Sequence, residues 1–235
     1  MIYKIADIIV EMEVKYEPLS SQIKAYEIKE YDEVDVKLNV TEDEFQKFST
    51  VYPNFSKGDA EYLIYGSKFY SCLVKKNGLL LHSSCVVYKG YSYLFSANSG
   101  TGKSTHTQLW LQRFEDAKIL NDDKPAVLIK ENGIFAYGTP FSGKTDLNIN
   151  ENYPIKGIIF LNRGENNSID YMDSKEAIYN ILSQTIRPYR SENMDIVLNY
   201  IDKIVTNIPI YKLYCNISLD AVDTVYNFLN GDNNE

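Results

Sequence analysis

Hydrophobic and polar positions change period several times along this chain, and each change marks an element. Over residues 28–40 (IKEYDEVDVKLNV) the two kinds alternate, the period of a half-buried strand, and about the first 55 residues read as antiparallel strands with a polar face. Thr41-Glu42-Asp43-Glu44 then has the spacing of a capping box and opens a short helix. From Asp59 onward Tyr62, Leu63, Gly66, Phe69, Tyr70 and Leu73 recur at three- and four-residue intervals until the Asn77-Gly78 turn, which predicts one amphipathic helix.

Beyond that turn the runs shorten. Residues 79–88 and 91–96 predict two strands joined across Lys89-Gly90, and so short a connection requires an antiparallel pair, because parallel neighbours need a crossover of a dozen or more residues. Residues 105–114 predict a helix, 117–120 a short strand, and 126–129 with 134–137 a hairpin around Glu131-Asn132-Gly133. A buried-type strand follows at 157–161, helices at 174–186 and 192–207, a strand at 210–215 and a helix at 218–229; the tail, 230–235, is expected to be disordered.

The most informative stretch lies between the strand at 91–96 and the helix after it: Ala97-Asn98-Ser99-Gly100-Thr101-Gly102-Lys103-Ser104-Thr105. A strand that delivers a Gly-rich loop to a helix N-terminus makes a phosphate cradle from backbone N–H groups. Gly100 and Gly102 allow the bend and the close approach, Lys103 can reach the β- and γ-phosphates, and the Ser104 hydroxyl can ligate Mg²⁺. Ala97 stands where the pattern usually has its first Gly, and it is small enough to keep the turn. The expected cargo is a nucleoside triphosphate, with Asn98 through Thr105 as its binding residues. The plainer reading is a Gly/Ser-rich turn before a Lys-Ser pair, which the two flanking elements disfavour.

Composition works mainly by exclusion. A net charge of −8 with no Lys/Arg cluster argues against nonspecific nucleic-acid binding, which needs a basic face. No apolar run approaches the ~18 residues of a membrane helix, and the first residues lack a signal-peptide pattern, so a soluble cytoplasmic protein with no membrane partner is expected. Cys72, Cys85 and Cys215 are odd in number and far apart, which suits buried structural thiols better than a disulfide framework or a zinc site. Twenty Tyr suit half-buried strands whose rings pack while the hydroxyls stay wet.

A phosphate loop alone does not name a reaction, so its partners matter. Asp122-Asp123 closes the strand after the loop helix, where one carboxylate can hold Mg²⁺ and a neighbour can accept a proton from an attacking hydroxyl. Adjacent strand residues face opposite ways, so both serve one site only if the strand has ended, a break that Pro125 makes plausible. His82, read on the strand before the loop strand, is a candidate contact for the transferring group or the carboxylates; the alternative is a structural strand histidine. His106 is read as structural. Lys144 in the second Gly-bearing loop (138–144), Arg163, Arg187 and Arg190 are candidate phosphate clamps, or else solvated surface cations.

Leu81-His82-Ser83, the Ser99 to Ser104 loop and Asn121-Asp122-Asp123 together resemble the HPr kinase/phosphorylase C-terminal domain and the wider phosphoenolpyruvate carboxykinase-like nucleotide-binding superfamily. Residues 79–161 carry the resemblance. It implies an α/β (α+β) fold: a mixed, largely antiparallel twisted sheet with a P-loop and flanking helices, not a doubly wound parallel sheet. In that family the Asp pair is associated with metal binding and with proton abstraction from a Ser hydroxyl, and the His assists. Carried over, Asp122 and Asp123 are base and metal ligand in an order left open, with Ser104 beside them on the metal and His82, Lys103 and Lys144 completing the catalytic set. Residues 1–76 do not look like the HPr kinase N-terminal domain, and 137–144 replaces the family's Gly-rich loop, so HPr is not the expected acceptor. The motifs look instead like the small kinase-like proteins of this superfamily in Gram-positive bacteria, some of which sit near peptide-modification systems.

The expected organisation is a β-rich N-terminal subdomain (1–76), able to bind the acceptor, a P-loop kinase-like core (77–230) and a tail (231–235). The expected function is Mg²⁺-dependent transfer of the ATP γ-phosphoryl group to a hydroxyl, foremost a Ser of a peptide or protein. Alternatives are a small-molecule kinase of the same fold and a non-catalytic nucleotide-binding regulator; a carboxykinase is weaker, since only His82 offers itself as a transition-metal ligand. The resemblance also leaves a homo-oligomer open.

Overall fold

Ala6 and Asp7 both take left-handed backbone angles (φ 49° and 60°), which closes a two-residue turn between β1 (Ile2–Ile5) and β2 (Ile8–Met12) and pairs them antiparallel. The computed structural model describes residues 1–185 and 191–231. After β2 come a short helix α1 (Leu19–Gln22), a 3₁₀ turn (Lys24–Tyr26) and β3 (Val36–Leu38), which adds to β2 in parallel. The expected strand over 28–40 therefore shrinks to three residues. Residues 28–35 bury neither face, and alternation without a buried face supplies no packing to hold a strand. α2 (Glu42–Val51) starts at the expected capping box, Thr41 Oγ1 accepting from the Glu44 amide and Glu44 from the Thr41 amide. The long helix α3 (Lys57–Val74) has a second box, from Ser56 and Asp59.

The run read as one strand over 79–88 is two: β4 (Gly78–Leu80) and β5 (Ser83–Tyr88). The chain changes neighbours at Leu81-His82, so His82 sits in a break rather than on a ladder, its amide donating to Gln184 O at 2.8 Å. β6 (Tyr91–Ser96) returns antiparallel to β5 across Lys89-Gly90, and α4 (Lys103–Arg113) follows the loop. Next come β7 (Lys118–Asn121), the hairpin β8 (Ala126–Lys130) and β9 (Gly133–Tyr137), and the long β10 (Asn152–Arg163). An edge strand β11 (Ser168–Tyr171), with a single buried residue and hence no sequence signature, precedes α5 (Ser174–Ser183), α6 (Ser191–Asn207), β12 (Ile210–Cys215) and α7 (Leu219–Asn230).

Nine strands make one mixed sheet in the order β4-β8-β9-β10-β6-β5-β7, with β12 on β10 and β11 on β12. β10 joins its two halves: residues 152–154 pair antiparallel with β9, and from Ile155 the strand runs parallel to β6 and then to β12. Only those two pairings in the sheet are parallel, as the expected largely antiparallel mixed sheet requires. Alternate side chains divide between the two faces. Leu94, Ile158 and Phe160 pack under α5 and α6, while Tyr93, Phe95, Ile159 and Leu161 pack under α4 and α7. Trp110 of α4, fully buried against Tyr93, Phe95 and Phe114, pins the loop helix to the sheet. A third cluster joins β1, β2 and α3 to Leu80, Ala126, Leu128 and Tyr137 of the sheet.

Gly138, just past β9, lies against backbone: a Cβ there would fall 1.8 Å from Ile149 O and 2.9 Å from Leu120 O. Gly138→Ala is expected to cost about 3 kcal/mol or more of stability, read from urea or thermal unfolding. An unchanged midpoint would contradict this close approach.

Candidate functional site

The loop after β6 bends where the glycines permit it. Gly100 (φ 79°) and Gly102 (φ 124°) both have left-handed angles, and Gly102 is the N-cap of α4, so the first-turn amides of that helix face outward without intrahelical acceptors. Asn98, Ser99 and Gly100 are exposed; Thr101 through Ser104 are half-buried, and Thr105 is exposed on the first turn. Lys103 arches back to donate from Nζ to Ala97 O at 3.0 Å. Burial draws its pKa below the ordinary lysine value, against the opposing charges of Asp123 and Asp122. Arg163, at the end of β10, donates to Gly100 O at 2.6 Å and to Thr101 O at 3.4 Å, so the loop is braced from the neighbouring strand.

β7 ends because Asn121 ends it. The Asn121 side chain, fully buried, accepts the amides of Asp123 (3.0 Å) and Lys124 (2.7 Å) on Oδ1 and donates from Nδ2 to Thr139 O at 2.8 Å. The turn it forms lets two consecutive carboxylates serve one site. Asp122, 6% exposed, accepts from Ser84 Oγ on Oδ1. Thr107 Oγ1 lies within hydrogen-bond distance of both Ser84 Oγ (2.8 Å) and Ser104 O (3.1 Å), which ties Asp122 to the first turn of the loop helix. Its second oxygen, Oδ2, is buried without a hydrogen-bond partner among the described residues. A buried carboxylate oxygen is costly to leave unpaired, so a cation is the chemistry this position fits.

Asp123 is held on both sides. Its Oδ1 lies 3.1 Å from His82 Nε2, and Lys124 Nζ donates to its Oδ2. Burial pushes the carboxyl up, but the His82 hydrogen bond and the Lys124 charge outweigh it and hold the group at about 2. The other ring nitrogen of His82 lies 3.0 Å from Gln184 Oε1. Lys124, three-quarters buried as a side chain, sits 5.4 Å above the Tyr62 ring. The 138–147 loop folds back here: a Cβ on Gly143 (φ 71°) would lie 3.3 Å from Asp123 Oδ2, its N–H donates to Tyr62 Oη at 3.0 Å, and its carbonyl accepts from Gln22 Nε2 at 3.1 Å.

Most of the expected residues therefore meet: the loop, Lys103, Asp122, Asp123 and His82. Lys144 is exposed and no ion pair joins it to either carboxylate, although its neighbour Gly143 touches Asp123. Arg187 and Arg190 lie outside the described residues. His106 is the core residue expected of it, 3% exposed, accepting from Trp110 Nε1 at 3.3 Å, with burial lowering its pKa to about 4. Sequence reasoning missed Lys124, Ser84, Thr107, Tyr62 and Gln184. Lys124 and Ser84 each adjoin a residue that was singled out, and adjacency was the available signal; Tyr62 and Gln184 arrive from distant helices.

The family model of the SynChlorMet cassette protein ScmC matches residues 63–227. The chain belongs to the ScmC family. The ScmC region contains the Gly-rich loop, both carboxylates, Lys124 and His82, and it begins one residue after Tyr62. No curated protein matches the chain. Among solved structures, the HPr(Ser) kinase/phosphatase from Coxiella burnetii is similar over 63% of this chain and 95% of its own, at 13% identity and a TM-score of 0.39. No helix among the described residues is long and apolar enough to cross a membrane.

Because the folded pKa of Asp123 is depressed, its charge stabilises the fold above about pH 4 and that contribution is lost as pH falls toward about 2. Asp123→Asn, which leaves Lys124 buried without its carboxylate, is expected to unfold at lower urea than the parent at pH 7. The gap should close between about pH 4 and about pH 2. A gap constant across that range would remove the assigned ion pairs.

Proposed function

We propose that this chain binds a nucleoside triphosphate, ATP foremost, on residues 97–105 and transfers the terminal phosphoryl group to a hydroxyl, foremost a Ser of a peptide or protein. One observation carries the reading: two carboxylates of different state meet at the mouth of the phosphate loop, Asp122 with an unpartnered buried oxygen and Asp123 flanked by His82 and Lys124. A protein that only held the nucleotide would have no use for the second. The motif resemblance to HPr kinase and its relatives points the same way.

Outward amides of the α4 first turn and Lys103 would bind the phosphates, and Lys103 would exchange its bond to Ala97 O for a phosphate oxygen. Asp122 Oδ2 and Ser104 Oγ are the groups that would hold Mg²⁺. The unpartnered oxygen supports Asp122 in that role over Asp123, whose two oxygens are already engaged. Bound there, Mg²⁺ would supply charge neutralisation at the phosphates.

Asp123 is the candidate base. The acceptor hydroxyl would take the place of Lys124 on Oδ2, and losing that cation raises the proton affinity of the carboxylate. The hydroxyl oxygen bonds to the terminal phosphorus, the bond from phosphorus to the β,γ-bridging oxygen breaks, and the proton passes to Asp123, with His82 holding Oδ1. Residues 1–76 are proposed as the acceptor side, a reading supported by Tyr62 beneath Lys124 and Gln22 on Gly143.

The test is product mass analysis with Mg-ATP and Ser-containing acceptor peptides, alongside calorimetric ATP binding. Lys103→Ala is expected to abolish binding, while Asp123→Asn keeps binding and loses transfer by about 10²–10⁴-fold. Transfer undiminished in Asp123→Asn would refute the assigned base. ATP binding with no acceptor phosphorylated would favour the regulator.

A further inference from the structure

The sheet gives the bound nucleotide a direction. β10 is parallel to β6, and β12 to β10, so their carboxyl ends open on the edge where the phosphate loop lies. β7 is antiparallel to β5, itself antiparallel to β6, so β7 also ends on that edge, on the opposite side of the loop. Ligands of open α/β sheets lie outside the carboxyl ends of parallel strands, and β6, β10 and β12 form such a parallel stretch within this mixed sheet. The β7 side is occupied by Asp122 and Asp123. On the β10/β12 side the loop residues Gly100 to Gly102 run into a cavity of about 430 Å³.

Its walls differ from the loop in chemistry. Leu109 of α4, Leu161 of β10 and Ile217 beyond β12 make most of its surface apolar, with Thr105, Asn162 and Asn216 also in the lining, and the Arg163 guanidinium that lines it is spent on Gly100 O and Thr101 O. Ile217 is 80% exposed, so it packs into no core of this chain. An apolar slot is a poor phosphate site and a good one for a flat heterocycle.

We propose that this cavity is the nucleoside half of the site: the base lies between Leu109 and Ile217, the triphosphate crosses the loop, and its terminal phosphate points to Asp123. The inference rests on the nucleotide reading above. It places the nucleoside across β6 from the carboxylates and makes apolar contact a source of affinity separate from the loop.

Calorimetry on the full chain with Mg-ATP and with Mg-tripolyphosphate separates the two halves. ATP is expected to bind at least about tenfold tighter than tripolyphosphate. Ile217→Ser and Leu109→Ala, each checked for an unchanged thermal midpoint, should weaken ATP by about threefold or more and leave tripolyphosphate unaltered. Equal affinity for the two ligands, or ATP binding untouched in both variants, overturns the proposal while leaving the loop as a phosphate site. Binding of neither ligand overturns the nucleotide reading itself, and the nucleoside cavity with it.

Discussion

The buried side chain of Asn121 decides how the acidic edge of this sheet is arranged. By accepting two amides of the next turn and donating to Thr139 O, it stops β7 one residue before the acidic pair. Had the ladder continued, Asp122 and Asp123 would project to opposite faces, and one of them would meet apolar core. With the strand ended, Asp122 turns to Ser84 and the loop helix, and Asp123 turns to His82 and Lys124. The bond to Thr139 also brings the 138–147 loop back, with Gly138 packed against the Ile149 and Leu120 carbonyls and Gly143 against Asp123.

Around that turn the fold separates two electrostatic situations in adjacent residues. Asp122 has one donor and one bare oxygen in a nearly closed environment, the condition that favours a cation. Asp123 has two cationic or donor neighbours and stays ionised far below neutral pH. Lys124 can remain charged although mostly buried because Tyr62 and Asp123 offset its loss of water. Tyr62 belongs to α3 and Gln22 to α1, so the segment before the Gly-rich loop reaches the acidic edge through two helices.

Much of this was legible in the chain. The capping box at Thr41, the amphipathic helix ending at the Asn77-Gly78 turn, the hairpin into the loop and the strand at 210–215 are local patterns, and their physics is contained in a few consecutive residues. So were the loop, the Asp pair and the structural role of His106. Two strand readings failed for different reasons: period 2 does not say whether a partner strand exists, and a continuous run does not say where the chain changes partner. Residues 28–35 alternate with nothing to bury them, and 79–88 look continuous although the chain leaves one part of the sheet for another at His82.

By itself, then, the sequence determined the loop and the order around it: strand, Gly-rich loop, Lys-Ser, helix, strand, two carboxylates. Backbone angles and helix-end amides are local properties, so the proposal of an anion site could be read from consecutive residues. The tertiary structure alone decided which carboxylate oxygen lacks a partner, that Lys124 and not Lys144 stands on Asp123, and that Gln184 meets the ring of His82. It also decided that one side of the loop holds charge and the other an apolar cavity. Those facts depend on strands and helices brought together from opposite ends of the chain, where burial and proximity, not neighbouring residues, set the charge each group can hold.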